Sequence, residues 1–117
     1  MAWRQDILKD LGNHLQEIRK GGDRVILMGD FNENVQKGEI KKFMANNNLR
    51  NALIMRHGEE IILPATYDKG RHSVDMIAVS DDINPEAIKK AGCIPFYSYF
   101  ISDHRGIYID IDIEELF

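Results

Sequence analysis

The sequence predicts an α+β domain in which a mixed β-sheet carries helices on one face. Three observations lead to this fold class: an amphipathic helical pattern comes first, a short apolar run between turn residues follows it, and a strictly alternating segment closes the chain. The element order is helix, strand, helix, then mostly strands, which is typical of a sheet covered by helices. The 117 residues, numbered 1–117, fit a single domain.

Residues 3–20 are predicted to form an amphipathic helix, because apolar side chains recur at spacings of three and four. These are Trp3, Ile7, Leu8, Leu11, Leu15 and Ile18. Gly21 and Gly22 end the helix. Residues 25–28 are too short an apolar run for a helix and indicate a buried strand, and residues 38–46 indicate a second, short helix.

The remainder of the chain is predicted mainly as strands. Residues 73–80 are mostly apolar and rich in β-branched types, as in a central strand, and residues 107–113 alternate as a half-buried strand does. The other segments are assigned by residue type: 49–54 as loop or strand, 57–59 as a turn, 60–64 as a short strand, 84–85 as a turn or single helical turn, and 88–96 as a strand.

Composition favours a cytoplasmic globular protein. The chain is 44% hydrophobic and 29% charged, and it holds no run near the roughly 20 apolar residues of a membrane span. The single cysteine, Cys93, excludes an internal disulfide and indicates a small buried residue. The net charge of −4 argues against a protein that holds nucleic acid through a basic surface, but it does not exclude nuclease chemistry.

A first group of chemically capable residues follows the strand at 25–28. Asp30 and Asn32 are two apart and share a face, and Gly29 before them allows the backbone to bend or approach a ligand. Together they offer a carboxylate for a metal or water and an amide for a phosphate oxygen. The alternative is an ordinary turn, since both residue types favour turns.

A second group precedes the last strand. Asp103 offers a hard oxygen ligand, and His104 is the side chain best suited to proton transfer near neutral pH. Asp75 lies in an apolar strand, where a carboxylate needs a partner, and we predict that it orients His104. The alternatives are that residues 102–105 form a solvated loop and that Asp75 faces water at a sheet edge.

Four motifs in order resemble the C-terminal half of the endonuclease/exonuclease/phosphatase superfamily, which includes exonuclease III-like nucleases, deoxyribonuclease I and inositol polyphosphate 5-phosphatases. They are Gly29-Asp30-Phe31-Asn32, Thr66-Tyr67, Ser73-Val74-Asp75-Met76-Ile77 and Ser102-Asp103-His104-Arg105. The resemblance implies half of a four-layer α-β-β-α sandwich and magnesium-dependent hydrolysis of a phosphoester, with manganese as a substitute metal.

The resemblance also implies roles for individual residues. Asp30 resembles the carboxylate that orients or deprotonates the attacking water, and Asn32 its neighbour that contacts phosphate or metal. Asp103 resembles the metal-site carboxylate. His104 resembles the histidine that contacts the scissile phosphate, and Asp75 the aspartate that holds this histidine.

Other residues are implied at the edge of the site. Thr66 and Tyr67 resemble a threonine-aromatic pair with a structural or substrate-lining role, and Arg105 is a substrate-lining candidate together with Arg71 and His72. Surface exposure explains these three basic residues equally well. The substrate class stays open among DNA, RNA, inositol phosphate and lipid.

Family members have two similar halves, and the first half supplies a metal-binding glutamate. Only one helix and one strand precede Asp30, so we expect weak magnesium binding and an uncovered apolar sheet face. A second copy in a homodimer, or a separate N-terminal half, would cover that face. The alternative function is a non-catalytic dimerisation or assembly module that descends from this fold.

Overall fold

The structure is a computed structural model that describes residues 2–96 and 102–116. It contains the helices α1 (Ala2–Lys20), α2 (Gly38–Asn46) and α3 (Ala52–His57), and the strands β1 (Ile26–Asp30), β2 (Leu49–Asn51), β3 (Asp75–Ser80), β4 (Ile88–Cys93) and β5 (Ile107–Ile111). Single 3-10 turns form at Pro85–Ala87 and Ile113–Glu115. The predicted α+β class is confirmed.

The strands form two small sheets. One has the order β1-β3-β2, and the other pairs β4 with β5. All these pairs are antiparallel, whereas the sequence predicted one mixed sheet. In the first sheet, Asp30 lies opposite Asp75 and Met28 lies opposite Ile77, so the end of β1 meets the start of β3.

Strand β3 lies between two apolar clusters, because its side chains alternate between the two faces of the sheet. Met76 and Ala78 join the cluster that α1 and α2 cover. Ile77 and Val79 join a second cluster with side chains of α3, β4 and β5. The outer face of the sheet, which is the one away from α1 and α2, was expected to be uncovered. Over β3 it is instead covered by this second cluster.

Among the residues that the structure describes, the uncovered part of that face is confined to β1. Ile26 is 45% exposed and Met28 is 67% exposed, whereas Ile77 opposite Met28 is only 3% exposed. The apolar surface that needs a partner is thus one strand wide rather than a whole sheet face.

Several predicted elements differ in detail. Residues 60–64 form no strand, and residues 49–54 divide between β2 and the start of α3. On α1, Leu15 is buried as predicted but Ile7 is 55% exposed, and the side chain of Trp3 lies outside the described part of the chain. Across the described residues, no helix has both the length and the apolar character that a bilayer crossing requires.

Candidate functional site

Two carboxylates meet at the edge of the first sheet. Asp30 ends β1, Asp75 begins β3, and the two residues are directly opposite in the antiparallel register. The pairing continues one step further, where the Phe31 amide donates to the Val74 carbonyl at 2.7 Å. Opposed side chains share a face, and two like charges in this position repel each other unless a positive group lies between them.

His104 provides that group. Its Nδ1 lies 2.8 Å from Asp75 Oδ2, and its Nε2 lies 3.7 Å from Asp30 Oδ2. A carboxylate only accepts, so Nδ1 carries the proton and donates a hydrogen bond to Asp75. The distance of 3.7 Å is too long for a hydrogen bond, and the Nε2 edge therefore stays available between Asp30 and solvent. The predicted contact between Asp75 and His104 is present.

The hydrogen bond to Asp75 raises the pKa of His104 above its ordinary value. Partial burial opposes this shift, while the negative charges of Asp75, Asp30 and Asp103 add to it. A larger share of the imidazole is consequently protonated near neutral pH than in a free histidine.

The backbone of His104 is fixed by a short bridge to residues 66–68. The Arg105 amide donates to the Thr66 carbonyl and the Asp68 amide donates to the Asp103 carbonyl, both at 2.8 Å. The bridge pairs Tyr67 with His104, and their ring centroids lie 5.1 Å apart at a tilt of 42°. The imidazole is therefore held from its backbone, from its Nδ1 edge and from one face.

Thr66 and Ser73 fix Asp75 in turn. Thr66 is fully buried, and its Oγ1 accepts from the backbone amides of Val74 at 2.9 Å and Asp75 at 3.1 Å. The Ser73 hydroxyl donates to the Asp75 carbonyl at 3.0 Å. Ser73 was not among the predicted site residues, because nothing in its spacing marks a hydroxyl that supports the neighbouring backbone.

Asn32 holds the turn after β1. Its backbone adopts a left-handed conformation with φ of 58°, which asparagine tolerates better than most residues. Its backbone amide donates to Asp30 Oδ1 at 2.8 Å, so this oxygen of Asp30 faces the turn while Oδ2 faces His104. The turn that was the alternative interpretation of Asp30 and Asn32 is present, and it orients the Asp30 carboxylate.

Two predicted residues lie beside the cluster rather than in it. The Asp103 side chain is exposed and is not part of the group that Asp30, Asp75 and His104 form among the described residues. The Arg105 guanidinium lies 4.2 Å from the centroid of the Phe96 ring, and its buried Nε has no hydrogen-bond partner in the described part of the chain. Their roles as metal ligand and substrate contact stay predictions.

The cluster also has the donor types of a metal site. One ligand atom from each of Asp30, Asp75 and His104 lies within 4.8 Å of the others. Carboxylate oxygens suit Mg²⁺ or Mn²⁺, but Asp75 already holds His104, so Asp30 is the better placed protein ligand. A hard cation held mainly by one carboxylate would keep most of its water ligands, and weak magnesium binding stays a prediction.

No family model matches the chain, and no curated protein matches it significantly. The likeness to the endonuclease/exonuclease/phosphatase superfamily accordingly depends on the four sequence motifs.

Proposed function

We propose that this chain is a metal-dependent phosphoester hydrolase, or the catalytic half of one, that acts on nucleic acid or on a phosphorylated small molecule. The observation that carries the proposal is the position of His104 between Asp75 at 2.8 Å and Asp30 at 3.7 Å. A histidine held by one carboxylate with its second nitrogen facing another is suited to proton transfer beside a developing negative charge.

His104 would act on the phosphoryl group. With Asp75 accepting a hydrogen bond from Nδ1, a protonated imidazole presents its Nε2 proton toward the space beside Asp30. That proton can be donated to a phosphoryl oxygen and so stabilise the charge that builds up there. The raised pKa of His104 keeps this form populated near neutral pH.

Asp30 would act on the water. Its Oδ1 accepts a hydrogen bond from the Asn32 backbone amide. Its Oδ2 is left to accept a hydrogen bond from a nucleophilic water on the His104 side. The ion that the carboxylates would hold, Mg²⁺ or Mn²⁺, polarises the phosphoryl oxygen when bound. Asn32 and Asp103 are exposed at the same edge and are proposed as further phosphate or metal contacts.

The test is hydrolysis of bis-p-nitrophenyl phosphate and of nicked or abasic DNA with Mg²⁺ or Mn²⁺. We expect His104→Ala to lower the rate about 10²–10⁴-fold, the usual contribution of a positioned acid or base. His14→Ala, at an exposed position of α1, is the matched control and should keep the wild-type rate. Equal rates in the wild type and His104→Ala would refute the proposal.

A non-catalytic assembly module is the second candidate. The exposed apolar side chains of Ile26 and Met28 on β1 favour it, because they indicate a surface that another element covers. Absence of hydrolysis in a well-folded oligomer would support this candidate.

A further inference from the structure

Strand β1 is an edge strand with the properties of a docking surface. It pairs with β3 on one side, and in the described part of the chain no strand pairs with its other side. Four of its five residues are exposed, and a side chain built at Gly29 would meet nothing within 4 Å. Unprotected edge strands offer a row of backbone donors and acceptors to another strand.

The side chains on the outer face of β1 identify the strand that fits. Ile26, Met28 and Asp30 alternate with inward residues and so share this face. Arg24 lies two residues before the strand and continues the same spacing. Read in order, they are one positive group, two apolar groups and one negative group. In an antiparallel pair the second strand runs in the opposite direction, so an identical strand presents the same four groups in reverse order. The positive end of one strand then meets the negative end of the other, and the apolar groups meet each other.

We propose that β1 pairs antiparallel with β1 of a second copy, about a two-fold axis that passes beside Leu27. This register places Ile26 opposite the partner's Met28 and Arg24 opposite the partner's Asp30. A shift by one residue pair in either direction would place a charged group against an apolar one. A two-fold contact requires such self-complementarity, and here it is present in the seven residues from Arg24 to Asp30.

The second copy would also add to the candidate site. The partner's Arg24 lies next to Asp30 in this register, where it adds positive charge beside the opposed carboxylates of Asp30 and Asp75. Within its own chain Arg24 donates from Nε to the Asp82 carbonyl at 3.5 Å. A guanidinium has five N–H donors and can bind more than one acceptor at once. The pairing itself does not depend on the proposed hydrolase activity.

The test uses single cysteines in a Cys93→Ser background, which removes the native thiol. Ile26→Cys and Met28→Cys proteins are mixed, allowed to exchange subunits, and oxidised. Opposite residues in an antiparallel pair have Cα atoms about 4.5–5.5 Å apart, within disulfide range, whereas two copies of the same position are about 8 Å apart. We expect the mixture to cross-link at least five-fold more than either variant alone.

Two controls keep the result decisive. A mixture of Met28→Cys with Ile62→Cys, which replaces an isoleucine that is 86% exposed elsewhere, measures cross-linking by random collision. Light scattering on the wild type should give twice the mass of one chain, and Met28→Lys should weaken association at least ten-fold. Cross-linking no greater than in the collision control, or a wild type at the mass of one chain, would overturn the proposal.

Discussion

His104 interacts with two carboxylates in different ways. Asp75 at 2.8 Å accepts a hydrogen bond and sets the ring orientation, whereas Asp30 at 3.7 Å acts through its charge. Asp75 is accordingly a positioning residue, and Asp30 faces the atoms that would react. Variants of the two residues are expected to have different effects.

Asp75→Asn should lower the pKa of His104, because a neutral amide replaces the carboxylate whose hydrogen bond is the largest cause of the upward shift. A raised pKa in the folded state stabilises the protein at pH values below the unfolded value of about 6.5 and loses this effect as pH rises through the folded pKa. The stability difference between wild type and variant should therefore shrink at alkaline pH. NMR titration of the imidazole and urea unfolding at several pH values measure both effects.

The control for this prediction is Asp10→Asn, which removes an exposed carboxylate on α1. This variant should leave the pKa of His104 unchanged. An unchanged His104 titration in Asp75→Asn would contradict the orienting role of Asp75.

Thr66→Val should destabilise the fold by about 1–3 kcal/mol, the cost of leaving buried donors without an acceptor. Its Oγ1 accepts from two backbone amides beside Asp75, and the residue is fully buried. Thr66→Ser retains the hydroxyl and should be less damaging. Urea unfolding gives the free energies, and equal stability of Thr66→Val and wild type would show that these hydrogen bonds contribute nothing.

At the scale of single residues, a side chain that conflicts with its surroundings is the one whose contact the sequence predicts. Asp75 stood out as a carboxylate in an apolar strand, and its contact with His104 is present. The hydroxyl of Thr66 gave no such signal, because the amides that it binds are eight and nine residues away along the chain. The catalytic roles of Asp30, Asn32 and His104 stay predictions.

The secondary structure between residues 49 and 64 was the least predictable. A short apolar run does not distinguish strand from helix, so α3 was missed. The strand predicted at 60–64 is wrong, and the side chain of Gln36 shows why. Its amide donates to the Ile61 carbonyl at 2.7 Å and accepts from the Leu63 amide at 2.9 Å, which satisfies backbone groups that a neighbouring strand would otherwise satisfy.

Asn51→Ala should destabilise the protein by about 1 kcal/mol through loss of the N-cap of α3. The Asn51 Oδ1 accepts from the amides of Leu53 at 3.0 Å and Ile54 at 3.4 Å. Asn51→Asp keeps an acceptor at the same place and should remain near wild-type stability. Denaturant unfolding compares the three proteins, and a stable Asn51→Ala would mean that packing of the buried residues Ala52 and Leu53 holds the helix without the cap.

The whole molecule is organised around β3, which contributes side chains to both apolar clusters and the Asp75 carboxylate to the site. Asp30 reaches the site because β1 pairs with β3. His104, in the segment before β5, reaches it because its backbone bridges to Tyr67, which precedes β3 in the chain. The sequence predicted β3 as the central strand but not the cover on its second face. That cover is assembled from α3, β4 and β5, and no local pattern specifies that these elements pack together.

Divalent cations should stabilise the wild-type fold, because an ion that binds the native state alone raises the free energy of unfolding by RT ln(1 + [L]/Kd). At a hundred times Kd the gain is about 2.7 kcal/mol. Thermal unfolding with increasing Mg²⁺ or Mn²⁺ measures it. Asp30→Asn should abolish the effect, since Asp30 is the best placed ligand, whereas Asp110→Asn, at an exposed position of β5, should retain it. Equal stabilisation of all three proteins would indicate general charge screening and favour the assembly role over the hydrolase.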